Sequence, residues 1–170
     1  LEAGQEGEIV LSTTPFYAEM GGEVGDTGII FAGESVARVL DTKAPEAGLT
    51  VHKVKIESGS FAVGEEVTAS VDAKRRASIA RNHTCTHILH AALREVLGAH
   101  VKQAGSYVGP DRLRFDFTHF EALTPEQIAR VEELANSYIM QAIPTTRYET
   151  SLDEARNSGV TALFGEKYGE

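Results

Sequence analysis

Three histidines recur at helical spacing within residues 82–90 of this sequence. At about 100° per residue, His83, His87 and His90 lie within about 60° of one another on a helix. The apolar side chains of the same helix fall on its opposite side: Cys85, Ile88, Leu89, Ala92, Leu93 and Val96. Histidines that were buried in a core and satisfied by hydrogen bonds would interrupt this apolar stripe. The pattern therefore indicates a histidine face with a role other than packing.

Two histidines at i and i+4 on one helix can present their imidazole nitrogens to one metal ion, and zinc suits such ligands. A protease helix of the His-Glu-x-x-His type is excluded, because Thr84 stands where the general base is required. Zinc needs at least three protein ligands, and Cys85 lies on the wrong face to be one of them. Spacing alone therefore leaves both a metal site at His83 and His87 and a plain histidine surface open.

A short basic run, Lys74, Arg75 and Arg76 with Arg81 a turn later, follows an acidic first segment. Residues 1–72 contain thirteen acidic and four basic residues and carry the whole net charge of -9, whereas residues 73–170 contain twelve of each. The basic run is therefore a candidate contact for a polyanion such as RNA. A solvated helix start is the alternative interpretation.

The composition is that of a folded domain, because 42% of the 170 residues are hydrophobic and 24% are charged. The mean hydropathy of -0.17 and the lack of a long apolar run argue against a membrane protein. The first residues have no signal-peptide pattern, and the single cysteine cannot form an internal disulfide. A cytoplasmic protein without a membrane partner is expected.

Short strands separated by turn residues are predicted up to Asp72, because Val, Ile and Thr cluster between groups of Gly, Pro, Asp and Ser. The predicted strands are Glu8 to Ser12, Gly28 to Ala32, Ser35 to Thr42, Leu49 to Glu57 and Glu66 to Val71. Five or six strands in about 70 residues suggest a small closed barrel over residues 1–72.

Helical periodicity replaces the strand pattern after Asp72, which is a predicted N-cap for a helix that ends before Gly98. Thr124, Pro125 and Gln127 form the start signal of a second long helix, with the apolar face Ile128, Val131, Leu134, Ala135, Tyr138, Ile139 and Ala142. The other predicted elements are strands over 100–109 and 113–117 with a turn over 109–112, a short strand over 145–149, and a brief helix from Ser151 to Asn157 stopped by Gly159.

The fold class expected from these elements is α+β. A small N-terminal β-barrel over 1–72 precedes an α+β domain over 73–170, in which two long helices pack on an antiparallel sheet. The alternation of Leu113 to Phe117 places Phe115 and Phe117 on one buried face of that sheet.

Several longer motifs carry a family resemblance. Asn-His-Thr-Cys-Thr-His-Ile-Leu-His-Ala-Ala-Leu-Arg (82–94), Val-Lys-Gln-Ala-Gly-Ser (101–106) and Arg-Leu-Arg-Phe-Asp-Phe-Thr-His-Phe (112–120) resemble the editing domain of alanyl-tRNA synthetases. The segment 14–28, which begins Thr-Pro-Phe-Tyr and ends Gly-Asp-Thr-Gly, is similar to the glycine-rich signature of the barrel that precedes that domain. Residues 162–169 resemble a later segment, so the resemblance runs from about residue 8 to the end.

The resemblance implies hydrolysis of the ester that links a wrong amino acid, serine or glycine, to the acceptor end of tRNA(Ala). The parent synthetase would also attach alanine with ATP. In the family, two histidines matching His83 and His87 and a later Cys-x-x-x-His element hold zinc. The chain reaches Glu170 before any such element, so we expect a truncated editing domain with an incomplete zinc site that is inactive alone.

Other residues carry expected roles from the same resemblance. Gln103 matches a position beside the zinc pocket that helps to read the amino-acid side chain, and a surface glutamine is the alternative. Thr84 and Thr86 flank the histidines and hydrogen-bond either the substrate or a backbone carbonyl. The glycine-rich loop would shape the cleft through four residues, or would form a simple turn: Gly21, Gly22, Asp26 and Gly28. His90 and His119 are expected to be structural.

Two other functions remain open at this stage. A free-standing alanyl-tRNA editing deacylase shares the barrel and the histidine helix with the synthetases. A non-catalytic module that binds RNA or protein is the alternative from a different functional class.

Overall fold

The first part of the chain forms one antiparallel sheet. The computed structural model describes residues 1–146 and 148–158. The five strands are β1 (Glu6–Val10), β2 (Gly28–Ala32), β3 (Ser35–Glu46), β4 (Leu49–Ser58) and β5 (Thr68–Val71). They pair in the order β1-β4-β3-β2-β5. The five strands predicted from sequence are confirmed, with ends that differ by a few residues.

One face of this sheet carries a hydrophobic core. Its buried members alternate along the three central strands and are joined by one loop residue: Ile30, Ala37, Val39, Val54, Ile56 and Phe16. The expected closed barrel is not confirmed, because β1 and β5 end the strand order and no pairing joins them within the described residues. Alternation of apolar and polar residues along a strand predicts which face of the sheet is buried. Closure of a barrel depends instead on pairing between two edge strands that are distant in sequence.

The first long helix has the predicted bounds. Helix α1 (Ala73–Leu97) begins where the Asp72 side chain accepts a hydrogen bond from the Arg75 backbone N–H, and it ends at Gly98 with a φ of 113°. Glycine tolerates this positive φ, which explains why the helix stops there.

A hairpin and a second long helix follow. Strands β6 (Gln103–Val108) and β7 (Leu113–Phe117) pair antiparallel, and Gly109 N–H donates to the Arg112 carbonyl across the predicted turn at 3.0 Å. Strand β6 is shorter than predicted and starts at Gln103. Helix α2 (Pro125–Met140) begins with the predicted capping box of Thr124 and Gln127.

A second hydrophobic core joins both helices to the hairpin. Its buried members are Ala92, Leu93, Val101, Val131 and Leu134, and Phe115 and Phe117 pack against them as expected. Two distinct cores fit the division at residues 72 and 73, which stays a prediction. None of the helices in the described ranges combines the length and apolar character that a membrane span requires.

The structure corrects two expectations and confirms a third. Residues 145, 146, 148 and 149 of the predicted short strand are not in a strand. Ile128 and Ile139 are 47% and 46% exposed instead of buried, because the described residues that pack on α2 cover only part of its apolar stripe. Helix α3 (Leu152–Asn157) is confirmed with its capping box at Ser151, while its predicted stop at Gly159 lies outside the described residues.

Candidate functional site

Two of the three predicted face histidines lie together on α1. The imidazole rings of His83 and His87 stack with their centroids 5.2 Å apart and their planes at 24°. His83 keeps 51% of its side chain exposed. His90 lies apart from them, half-buried, with its Nε2 3.4 Å from the Val101 carbonyl and its ring beside Phe115. The structure therefore confirms a structural setting for His90 and leaves a pair at His83 and His87.

Two buried carboxylates of the glycine-rich loop face α1. Glu23 is 4% exposed and Asp26 is 2% exposed. Arg76 Nη1 donates to Glu23 Oε1 at 2.5 Å, and Arg76 Nε donates to Asp26 Oδ1 at 2.8 Å. Burial lowers the pKa of Arg76, but its bonds to Glu23 and Asp26 outweigh burial and raise that pKa above its ordinary value. The ion pairs thus hold the loop against the start of α1.

The same loop carboxylate approaches the histidine pair. His83 Nδ1 lies 2.6 Å from Glu23 Oε2. Glu23 has no role predicted from sequence, because an acidic residue in a segment rich in Asp and Glu is ordinarily a solvated one. Only its position within the glycine-rich signature marked it as different from the other acids.

The predicted basic run divides into inward and outward members. Arg76 forms ion pairs with the carboxylates of Glu23 and Asp26, and Arg75 Nη1 donates to the Gly25 carbonyl at 2.9 Å. Lys74 and Arg81 are exposed, although Arg81 also donates to Ser78 Oγ. The RNA contact stays a prediction, and the geometry favours Lys74 and Arg81 over the other two as its carriers.

The loop pairs with strand β6 as well as with α1. Val108 N–H donates to the Gly22 carbonyl at 2.8 Å, and Val24 N–H donates to the Val108 carbonyl at 3.1 Å. Gly22 has a φ of +87°, and a Cβ there would overlap the Ser106 carbonyl oxygen. A Cβ at Gly28 would likewise overlap the Ser70 carbonyl oxygen. These close approaches require glycine at both positions, and the cleft-shaping role of the loop stays a prediction.

Gln103 reaches the same loop through one intermediate side chain. Gln103 Nε2 donates to Ser106 Oγ at 3.1 Å, and Ser106 Oγ donates to the Gly21 carbonyl at 3.2 Å. Glu23 and Gly21 therefore connect the loop to His83 on one side and to Gln103 on the other. Ser106 has no role predicted from sequence, because a lone serine on a strand carries no signal of its own.

The threonines beside the histidines bond the helix backbone. Thr84 Oγ1 donates to the Ala80 carbonyl at 3.1 Å, and Thr86 Oγ1 donates to the Asn82 carbonyl at 2.9 Å. Thr86 is also buried. Of the two alternatives for these hydroxyls, the contacts support the backbone carbonyl, and a contact with substrate stays a prediction.

Comparison with known proteins adds the family. A family model described as tRNA synthetases class II (A) matches residues 1–75. The chain is 55% identical over 169 residues to the alanine–tRNA ligase of Acetivibrio thermocellus, an alignment that covers 99% of the chain and 19% of that ligase. It is 56% identical over 172 residues to the alanine–tRNA ligase of Thermus thermophilus, covering 100% of the chain and 19% of the ligase. The chain belongs to the alanine–tRNA ligase family. It spans about a fifth of the length of these relatives.

The histidine pair fits zinc only in part. Imidazole nitrogens are common zinc ligands, and the stacked rings project from adjacent turns of α1. Among the described residues, however, no group of three or more His, Cys, Asp or Glu side chains is placed to hold a metal ion. His100 and His119 bond each other, with Nε2 and Nδ1 2.9 Å apart. Further ligands would have to come from outside the described residues.

An apolar groove of about 730 Å³ lies on another side of His87, between α1 and the end of α2. Its lining includes Cys85, Ile88, Ile139 and Ile143. Cys85, which the sequence places on the apolar side of α1, is half-buried and lines this groove. The mostly apolar lining offers few partners for a charged group, whereas the loop side of the histidine pair carries the Glu23 carboxylate and is therefore the candidate site.

Proposed function

We propose that this chain forms part of the editing site of an alanine–tRNA ligase. The site would hydrolyse the ester that joins serine or glycine to the acceptor end of tRNA(Ala). The observation that carries the proposal is the convergence of His83 and Gln103 on the glycine-rich loop, through Glu23 and Ser106. The identity to alanine–tRNA ligases supports the choice of tRNA(Ala).

The need for such an activity has a physical basis. A pocket shaped for the alanine methyl group cannot exclude glycine sterically, and it rejects a side chain enlarged by one hydroxyl only weakly, by about 100-fold in comparable enzymes. A second site that removes the resulting errors raises accuracy beyond what one binding step achieves. In the proposal, the remainder of the ligase activates alanine with ATP and attaches it to tRNA(Ala).

In this proposal His83 and His87 would hold a zinc ion together with ligands from outside the described residues. When bound, zinc supplies Lewis-acid polarisation of an ester carbonyl or of an attacking water. The chain's own residues bind and orient the substrate. The Gln103 amide is oriented by the hydrogen bond from its Nε2 to Ser106 Oγ, and its Oε1 would accept a hydrogen bond from the amino acid.

The test compares variants in a full-length alanine–tRNA ligase that carries this segment. His83→Ala should lower the rate of Ser-tRNA(Ala) deacylation by about 100-fold or more, because the variant lacks one of the two histidines that would hold the zinc ion at the ester. Alanylation and tRNA affinity should stay unchanged. Gln103→His should also lower deacylation, because a larger ring narrows the space for the amino acid.

The exposed helix residue Glu132 provides a matched control, since Glu132→Gln changes one charge on α2 away from the loop. Unchanged deacylation in the His83→Ala protein contradicts the assigned site. Binding of tRNA(Ala) by the unsubstituted protein without any deacylation would instead support a non-catalytic RNA-binding module.

A further inference from the structure

The two carboxylate oxygens of Glu23 face two different partners. Oε1 accepts from Arg76 Nη1 at 2.5 Å, and Oε2 lies 2.6 Å from His83 Nδ1. The Glu23 side chain is only 6% exposed. Oε2 is buried, and within the described residues no donor, His83 included, is oriented to give it a hydrogen bond. A buried carboxylate oxygen without a donor is unfavourable, so a proton on His83 Nδ1, with a small rotation of the ring, is the arrangement that satisfies it.

The charges around Glu23 favour the same arrangement. The buried carboxylates of Glu23 and Asp26 face the single guanidinium of Arg76, which leaves one excess negative charge. The other carboxylate oxygen of Asp26 accepts a hydrogen bond from the Tyr17 backbone N–H at 2.9 Å. Glu23 Oε2 is therefore the oxygen of this cluster that still requires a donor, and His83 is the titratable side chain that reaches it.

We propose that Glu23 is a positioning residue for His83. It holds the imidazole as the tautomer with its proton on Nδ1 and its lone pair on Nε2. Carboxylates that accept from one nitrogen of a histidine commonly fix its tautomer and orient the other nitrogen towards a metal or a reacting group. The use of Nε2 in catalysis rests on the proposed editing function, whereas the tautomer itself does not.

The tautomer can be measured directly in this chain. Two-bond ¹H–¹⁵N correlation spectra of the imidazole rings, recorded at pH 8 without metal, separate a protonated Nδ1 from a protonated Nε2. We expect His83 to carry its proton mainly on Nδ1. In the Glu23→Gln variant, the neutral amide can either accept from or donate to that nitrogen, so the fraction protonated at Nδ1 should fall severalfold.

Asp26→Asn is the matched control, because it removes the other carboxylate from Arg76 and leaves the partner of His83 in place. The His83 spectrum of this variant should resemble that of the unsubstituted chain, with thermal unfolding recorded for both variants. An equal change in both variants would overturn the proposal, since the effect would then act through the loop as a whole.

The tautomer of His83 in the unsubstituted chain tests the proposal independently of any folding defect in the variants. A His83 that carries its proton mainly on Nε2 contradicts the positioning role. Deacylation does not enter this measurement. A tautomer fixed by Glu23 in a protein without editing activity would therefore overturn the proposed function and leave the positioning role intact.

Discussion

Glycine at position 22 is required both by backbone conformation and by space. Gly21 and Gly22 have φ values of +61° and +87°, but only at Gly22 would a Cβ meet another atom, the Ser106 carbonyl oxygen. A non-glycine residue at positive φ costs about 1 to 3 kcal/mol. Gly22→Ala should lower the free energy of unfolding by more than this strain alone, and Gly21→Ala should lower it only by the strain. Urea unfolding of the two variants measures the difference, and equal losses would contradict the close approach of loop and strand.

His52 gives the first sheet a pH dependence. It is fully buried, with Nδ1 2.9 Å from the Ile9 carbonyl and Nε2 2.8 Å from Thr14 Oγ1. Burial lowers its pKa below the ordinary value of 6.5, and this effect outweighs the bond to Ile9. The unfolded chain therefore takes up a proton at a higher pH than the folded chain does. Stability is full above about pH 6.5 and falls as the pH drops from there towards the folded pKa.

His52→Gln should remove this part of the pH dependence, whatever its effect on absolute stability. The measurement is the free energy of unfolding of both proteins at several pH values between 5 and 8. A parallel decline in the two proteins below pH 6.5 would show that other groups cause it.

At the scale of elements, α2 depends on the hydrogen bonds at its start. Thr124 Oγ1 accepts from the Gln127 N–H at 3.2 Å, and Gln127 Oε1 accepts from the Thr124 N–H at 2.9 Å. Thr124→Ala should lower the free energy of unfolding by about 1 kcal/mol, because an N–H of the first turn loses its acceptor. Thr124→Ser keeps the hydroxyl and should lose little. Thermal unfolding compares them, and similar losses for both would point to the threonine methyl group instead of the cap.

At the scale of the whole molecule, the basic residues near the start of α1 have separate tasks. Arg76→Ala leaves two buried carboxylates without their partner, and we expect it to lower the free energy of unfolding by about 2 to 3 kcal/mol. Replacing exposed Lys74 and Arg81 by Ala should change stability by less than about 0.5 kcal/mol.

The same double variant tests the RNA contact. If Lys74 and Arg81 each meet one phosphate, their loss should lower the slope of log affinity against log salt by about 2. The acidic first segment should at the same time restrict the RNA to the second half of the molecule. Binding of tRNA(Ala) at several salt concentrations to the full-length ligase gives the slope. An unchanged slope would assign both side chains to the solvated surface.

Local patterns in the sequence determined the elements and the histidine pair. Alternation and turn residues predicted five strands, and the caps at Asp72, Thr124 and Ser151 are those of the structure. These signals are local, because a cap or an amphipathic period depends on residues within one or two turns of each other. The spacing of His83 and His87 is local for the same reason.

Only the tertiary structure decided which charged residues form buried ion pairs. The run from Lys74 to Arg76 gives no sign that Arg76 lies between Glu23 and Asp26, some 50 residues earlier in the chain. Closure of the sheet and the exposure of Ile128 and Ile139 could not be predicted from local sequence either. Strand pairing and the coverage of a helix face depend on segments that are distant in sequence. The contact between Glu23 and His83 belongs to this class: burial turns a solvated acid into a residue that must be paired, and burial is a property of the whole fold.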